Sequence, residues 1–239
     1  MCISEKLTKT NGKSSIKLLG LRQDIVENKK QQNFLAVDTS GNHLTVLASK
    51  NGNVSSVFLP NCAMKHAVSV MPAVQEALQK AELSLAECDF FSAVIGAGSF
   101  TGIRIGISAV KGFCSALKKP SLPITSFETI AYNIVGQKGK ILCLIDALHD
   151  AYYACGYEGE EVVFPPKYIS EEEVLALAEE GYALYAYAPI PLMEKANVSL
   201  VDPCEGFKNA VVRRAEEERF GDLTALYVRK SSAELNLGK

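Results

Sequence analysis

A chain of 239 residues with 48% hydrophobic and 22% charged residues carries enough apolar material for one large core or two smaller ones. That balance excludes the disordered and disulfide-stapled classes. The formal net charge of −2 excludes an overall polyanion-binding surface, so any RNA contact is expected to come mainly through a partner. No apolar stretch approaches the roughly 20 residues of a bilayer-spanning helix, and no signal-type apolar segment opens the chain. A soluble, cytoplasmic protein without membrane association is expected.

Residues 1–33 form a basic arm, with six lysines and one arginine against three acidic residues. Ile16, Leu19 and Ile25 have helical spacing there, compatible with a short docking helix or an added arm. The first strand is expected at Phe34–Val37, ending at Asp38. Strands at Leu44–Ala48 and Val54–Leu59 follow, joined by the turn residues Asn51-Gly52-Asn53. A helix over Met64–Ala81, a strand at Phe91–Ile95 and a helix over Gly102–Leu117 come next. A short strand at Leu122–Ile124 and a helix over Phe127–Val135 close the first half.

The second half repeats this order. Ile141–Ile145 ends at Asp146, Tyr152–Tyr157 and Val162–Phe164 give two more strands, and Glu171–Glu180 gives a helix. Tyr182–Tyr187 is a strand, Leu192–Ala196 a short helix, Val198–Val201 a strand and Phe207–Arg219 a long helix. Two lobes are therefore expected at 34–136 and 137–239, each a mixed sheet covered by helices. A duplicated unit with an acid closing each first strand resembles the ASKHA superfamily (actin-like ATPase, RNase H-like). That α/β resemblance implies phosphate-binding loops at Asp38-Thr39-Ser40 and at Asp146, with the two carboxylates holding magnesium through water in true kinases.

The most specific segment is Gly96-Ala97-Gly98-Ser99-Phe100-Thr101-Gly102-Ile103-Arg104-Ile105-Gly106, which follows a strand and opens a helix. Its glycines and free N–H groups suit either an anion or a tight strand-to-helix turn capped by Ser99 or Thr101. No lysine follows the last glycine, so it is not a P-loop, and Thr101 breaks the dinucleotide fingerprint.

This run, continuing through Ala109-Val110-Lys111-Gly112, is similar to the G-S-F-T-G-L-R-I-G…A-K-G signature of the TsaB (YeaZ) family. Three weaker matches keep the family's order. They are Leu35-Ala36-Val37-Asp38-Thr39-Ser40, Ile145-Asp146-Ala147 followed by Tyr152-Tyr153, and Leu226-Tyr227-Val228-Arg229. The resemblance implies a non-catalytic, dimerising scaffold in the synthesis of tRNA threonylcarbamoyladenosine. Its partners would be the catalytic paralogue TsaD and the ATPase TsaE, with tRNA met mainly through the complex and a homodimer open for the isolated chain. No cofactor is expected, with weak nucleotide binding left open and Asp38, Thr39, Ser40 and Asp146 as a degenerate site. The chain departs from the family at Lys65-His66-Ala67-Val68, where an R-H-S-E-like entry to the first helix is common.

Both long helices carry two apolar stripes. In the first, Met64, Ala67, Met71, Val74 and Leu78 oppose Val70, Ala73, Ala77 and Ala81; in the second, Ile103, Ile107, Val110, Cys114 and Leu117 oppose Gly102, Gly106, Ala109, Phe113 and Ala116. A helix on one sheet needs one stripe. The small-residue faces, represented by Val70, Ala73, Ala77, Gly106, Ala109 and Phe113, are therefore expected to meet a partner.

Two alternatives remain open at this point. One is a free-standing ATP-dependent phosphotransferase using Asp38 and Asp146. The other is a metalloprotease, which His43, His66 and His149 do not favour, because they form no H-E-x-x-H or H-x-x-x-H pair. Cys62 and His66 share helical spacing without two further ligands, so no metal is expected. The seven cysteines include no C-x-x-C pair and read as reduced thiols.

Overall fold

Strand β1 (Phe34–Asp38) is buried along its whole length, because it lies at the centre of a sheet covered on both faces. The computed structural model describes residues 31–229, so the candidate helix at 16–26 and Cys2 lie outside the described residues. β1 pairs antiparallel with β2 (Leu44–Lys50), which pairs antiparallel with β3 (Asn53–Leu59). On its other side β1 runs parallel to β4 (Phe90–Val94), which runs parallel to β5 (Ser121–Ile124), giving the order β3-β2-β1-β4-β5. Helices α1 (His66–Lys80) and α2 (Phe100–Leu117) make the crossovers, and α3 (Ser126–Ala131) follows β5.

The second sheet copies this plan strand for strand. Its central β6 (Lys140–Asp146) pairs antiparallel with β7 (Ala151–Glu158) and parallel with β9 (Ala183–Ala186). β8 (Glu161–Ser170) and β10 (Val198–Leu200) form the edges, so the order is β10-β9-β6-β7-β8. Helix α4 (Glu171–Glu179) follows β8, and α5 (Pro203–Glu216) ends the described helices. The duplication extends to a backbone detail. Asp38 Oδ1 accepts from Ser40 N at 2.8 Å, and Asp146 Oδ1 accepts from Leu148 N at 2.8 Å, so each central strand ends in the same aspartate turn. This is the duplicated ASKHA-type α/β fold.

The period-2 alternation of the central strands divides the core into three parts. Leu35 and Val37 face α1 and α2, meeting Val70, Val74, Ala77, Ile103 and Val110. Phe34 and Ala36 face the opposite way, into a core shared with Ile141, Cys143 and Ile145 of β6 and built around Phe127, Ile130, Phe207 and Val211. Leu142 and Leu144 turn to a third cluster with Val174 and Leu184. The middle core thus joins both sheets through α3 and α5. Helix α5 packs closely on α3 because Gly206 has no side chain; a Cβ there would overlap the Thr129 carbonyl oxygen. Glu128 links the same helices, capping α3 through Thr125 and holding Arg214 at 2.6 Å.

Several element limits differ from expectation for identifiable reasons. β8 continues six residues past Phe164, through Pro165 and Pro166, because an edge strand can leave its outward side without N–H donors. Helix α5 starts at Pro203, four residues before Phe207, since Asp202 accepts from Cys204 N and Glu205 N and proline suits the first helical position. The expected helix at 192–196 is a single 3-10 turn over Pro191–Glu194. The helix after β5 stops at Ala131. Among the described residues no helix is long and apolar enough to cross a membrane. Cys62, Cys88, Cys143 and Cys155 are buried free thiols; burial pushes Cys88 up to about 12 and Cys155 to about 11, leaving both protonated near neutral pH.

Candidate functional site

The end of β1 carries a buried polar cluster where the fold's phosphate loop is expected. Asp38, Thr39 and Ser40 are each 0–1% exposed. Asp38 Oδ1 accepts from Ser40 N at 2.8 Å and from Ser40 Oγ at 2.7 Å, while Oδ2 faces His43 Nε2 at 3.2 Å. His43 is fixed in turn: its carbonyl lies 2.9 Å from His66 Nε2 and its ring meets Tyr187 edge-on at 5.1 Å. Burial pushes the Asp38 carboxyl upward, but hydrogen bonding and charge from His43, with both Ser40 donors, outweigh it and hold the group below its ordinary value. Ser126 Oγ, 3.0 Å from Ser40 Oγ and 2.6 Å from the Ala97 carbonyl oxygen, ties the cluster to α3.

The glycine-rich turn closes on this cluster and not on open space. Ser99 N donates to the Ser40 carbonyl at 2.8 Å. A Cβ on Gly98 would overlap the Ser40 carbonyl, one on Gly102 would overlap the Thr39 carbonyl, and one on Gly106 would lie 2.5 Å from Thr39 Oγ1. Thr39 Oγ1 donates to the Gly102 carbonyl at 2.7 Å, and Ser99 Oγ caps α2 by accepting from Gly102 N at 3.3 Å. Three glycines at helical or turn spacing therefore bring α2 against residues 39 and 40. The turn and the β1 loop are thus packed on each other, with Ser99 as the helix cap. Thr101 is exposed, and Phe100 and Arg104 turn away to stack on Tyr227.

The other sequence candidates make no hydrogen bond or ion pair with Asp38 itself. Asp146 caps its own turn through Leu148 N and makes no hydrogen bond or ion pair with Asp38. Cys62 and His66 are both buried, but among the described residues no group of three or more His, Cys, Asp or Glu is arranged to hold a metal. A cleft of about 740 Å³ opens beside the β2–β3 turn and α5, lined by Asn53, Tyr132, Glu160, Asn209 and Arg213; neither Asp38 nor Asp146 lines it.

The small-residue face of α1 points inward, against expectation. Val70, Ala73 and Ala77 are buried against the sheet, because small side chains allow the helix a close approach. Gly106 is buried on Thr39, Ala109 packs against the same core, and Phe113 lies 5.6 Å from Phe91. The outward apolar residues are instead Val68 and Met71 of α1, exposed by 73% and 51%, with Met64 in the turn before it exposed by 98%. Two further participants, His43 and Tyr187, had no local sequence signal. The Tyr187 hydroxyl is buried without a hydrogen-bond partner; burial and then the Asp38 charge push its pKa upward.

Residues 47–233 match the family model described as TsaD: tRNA N6-adenosine threonylcarbamoyltransferase. The tRNA threonylcarbamoyladenosine biosynthesis protein TsaB of Escherichia coli (strain K12) is 30% identical over 130 residues, 54% of this chain and 56% of that protein. The protein of the same name from Bacillus subtilis (strain 168) is 29% identical over 125 residues, covering 52% and 55%. The chain thus spans about half the length of the curated relatives it matches. The solved structure of YeaZ from Pseudomonas aeruginosa superposes with a TM-score of 0.69 at 22% identity, covering 82% of this chain and all of that one, which confirms the fold. The chain belongs to the tRNA N6-adenosine threonylcarbamoyltransferase (TsaD) family and is similar, over about half its length, to proteins named TsaB.

Proposed function

We propose that this chain is a non-catalytic adaptor in the synthesis of tRNA threonylcarbamoyladenosine, acting in the cytoplasm through a TsaD-type catalytic paralogue and beside a TsaE-type ATPase. The observation that carries the reading is the filled loop at the end of β1. A phosphotransferase needs the strand-end aspartate free to face a metal or phosphate. Here both Asp38 oxygens are engaged by Ser40 and His43, and the glycine turn is packed on Thr39 and Ser40. Family membership supports the pathway, and the exposed Met64, Val68 and Met71 side chains offer the paralogue an apolar docking face. In the isolated chain the same side chains would serve a homodimer.

The reading is tested by reconstituting the reaction from the catalytic paralogue, the ATPase and tRNA. Omitting this chain abolishes modification, and adding it restores it, while the isolated chain neither turns over ATP nor modifies tRNA. Turnover of ATP by the isolated chain that is lost in Asp38→Asn, with the fold intact, would establish the phosphotransferase instead.

A further inference from the structure

The signature residues Phe100 and Arg104, which the filled loop does not use, meet the other sequence matches in space. The Phe100 and Tyr227 rings stack at 4.4 Å with an interplanar angle of 12°. Arg104 Nε donates to the Tyr227 hydroxyl at 2.8 Å, and its guanidinium carbon lies 5.6 Å from that ring's centre. Two residues on, the Arg229 guanidinium lies 4.7 Å above the Tyr168 ring and donates to the Tyr168 hydroxyl at 3.1 Å. Tyr153 packs on Tyr168 at 5.9 Å. Two arginine–aromatic groups, closed by contacts 123 and 61 residues apart in sequence, are therefore linked through residues 227–229. Tyr227 and Arg229 are within about 7 Å of each other along the chain.

Charge sets these arginines apart. Arg213, Arg214 and Arg219 are each neutralised by Glu128, Glu160 or Glu217. Among the described residues Arg104 and Arg229 have no carboxylate partner; tyrosine hydroxyls and ring faces hold them instead. A tyrosine partner fixes the fork without cancelling its charge, which leaves the remaining N–H groups for an anion. Tyr227 is 39% exposed beside them. Planar cations with accessible aromatic faces form the usual combination for a single nucleic-acid strand: guanidinium on phosphate, ring on base.

We propose that Arg104 and Arg229, positioned by Tyr227 and Tyr168, form a binding site for a single-stranded segment of RNA. The choice of RNA over another polyanion rests on the proposed role in tRNA modification; the anion site itself rests on the geometry.

The test is fluorescence anisotropy of the full chain, without other proteins, against a labelled tRNA transcript and against labelled inorganic polyphosphate. Two phosphate contacts predict that RNA affinity falls about seven-fold between about 50 and 200 mM salt. Arg104→Gln with Arg229→Gln flattens that dependence and weakens binding at low salt. Arg104→Lys with Arg229→Lys keeps the charges and therefore the salt dependence. RNA is preferred over polyphosphate of equal charge by about ten-fold through base stacking. The site is overturned if the parent and the glutamine variant bind with the same affinity and salt slope. It is also overturned if the lysine variant loses the slope as fully as the glutamine variant, which would make the arginines purely structural. Equal affinity for RNA and polyphosphate overturns the assignment to RNA. Reconstituted modification is measured beside binding. A parent that binds RNA but leaves modification unaffected supports the site and contradicts the adaptor role, whereas modification supported equally by all variants, without RNA binding, contradicts the site alone.

Discussion

Gly102→Ala and Gly112→Ala make the same chemical change in the same helix, and the structure predicts opposite signs. A Cβ at Gly102 would overlap the Thr39 carbonyl oxygen and lie 3.2 Å from its carbon, both backbone atoms that no rotamer change can move. Relieving it requires α2 to shift away from β1, an overpacking cost of about 1–3 kcal/mol. The same shift weakens the buried hydrogen bond from Thr39 Oγ1 to the Gly102 carbonyl, worth about 1 kcal/mol. The helix-propensity gain of alanine offsets at most about 1 kcal/mol. The net loss is then about 1–3 kcal/mol, or a fall in Tm of roughly 2–12 °C for a chain of this size. At Gly112 no atom lies within 4 Å of the added Cβ, so only the propensity gain operates, raising Tm by about 2–4 °C. Thermal and urea unfolding of both variants beside the parent measure this. A Gly102→Ala protein as stable as the parent would refute the argument that the signature glycines serve close packing.

The remaining predictions concern ionic links and the exposed helix. Asp38 has a folded-state pKa below its ordinary 3.8, so its stabilisation is complete above that value and is lost as pH falls through the lower folded value. Asp38→Asn should therefore cost about 2–4 kcal/mol at neutral pH and reduce the acid-side loss of stability; an unchanged slope below about pH 4 would contradict the assignment. The Glu128–Arg214 pair, at 2.6 Å and less than a fifth exposed on each side, should show a coupling of about 1–2 kcal/mol in a Glu128→Gln, Arg214→Gln double-mutant cycle. A coupling of zero would mean that this ion pair does not help to join α3 and α5. Val68→Glu and Met71→Glu should leave Tm within about 1–2 °C of the parent, because both side chains already face water.

The duplicated plan was legible because both central strands are continuous apolar runs ending in aspartate, a pattern that only doubly covered strands afford. Helix α2 was legible from its glycine turn, with Ser99 as cap. The prolines at 165 and 166 hid the full length of β8, since nothing local marks a strand as an edge. On α1 the two apolar stripes were visible but not their direction. Residue size pointed the methionines inward, whereas the close approach of helix to sheet selects Ala73 and Ala77 and leaves Met64 and Met71 outside. At the candidate site Asp38 and the glycines were readable as a unit, yet whether they hold an anion or each other depends on backbone approach, which spacing does not encode. Tyr187 reaches His43 from the residue after β9, and Tyr227 reaches Arg104 across 123 residues; tertiary contacts of that range leave no local motif.

The proposed docking of a catalytic paralogue on the outward face of α1 is tested by one binding measurement. Purified parent and the Val68→Glu, Met71→Glu double variant are titrated against the TsaD-type paralogue by calorimetry. Each substitution forfeits burial of an apolar side chain worth roughly 2 kcal/mol, which weakens association about 30-fold per site. The account predicts a parent complex and a folded double variant with at least about 30-fold lower affinity. A folded double variant that binds the paralogue as tightly as the parent would contradict it.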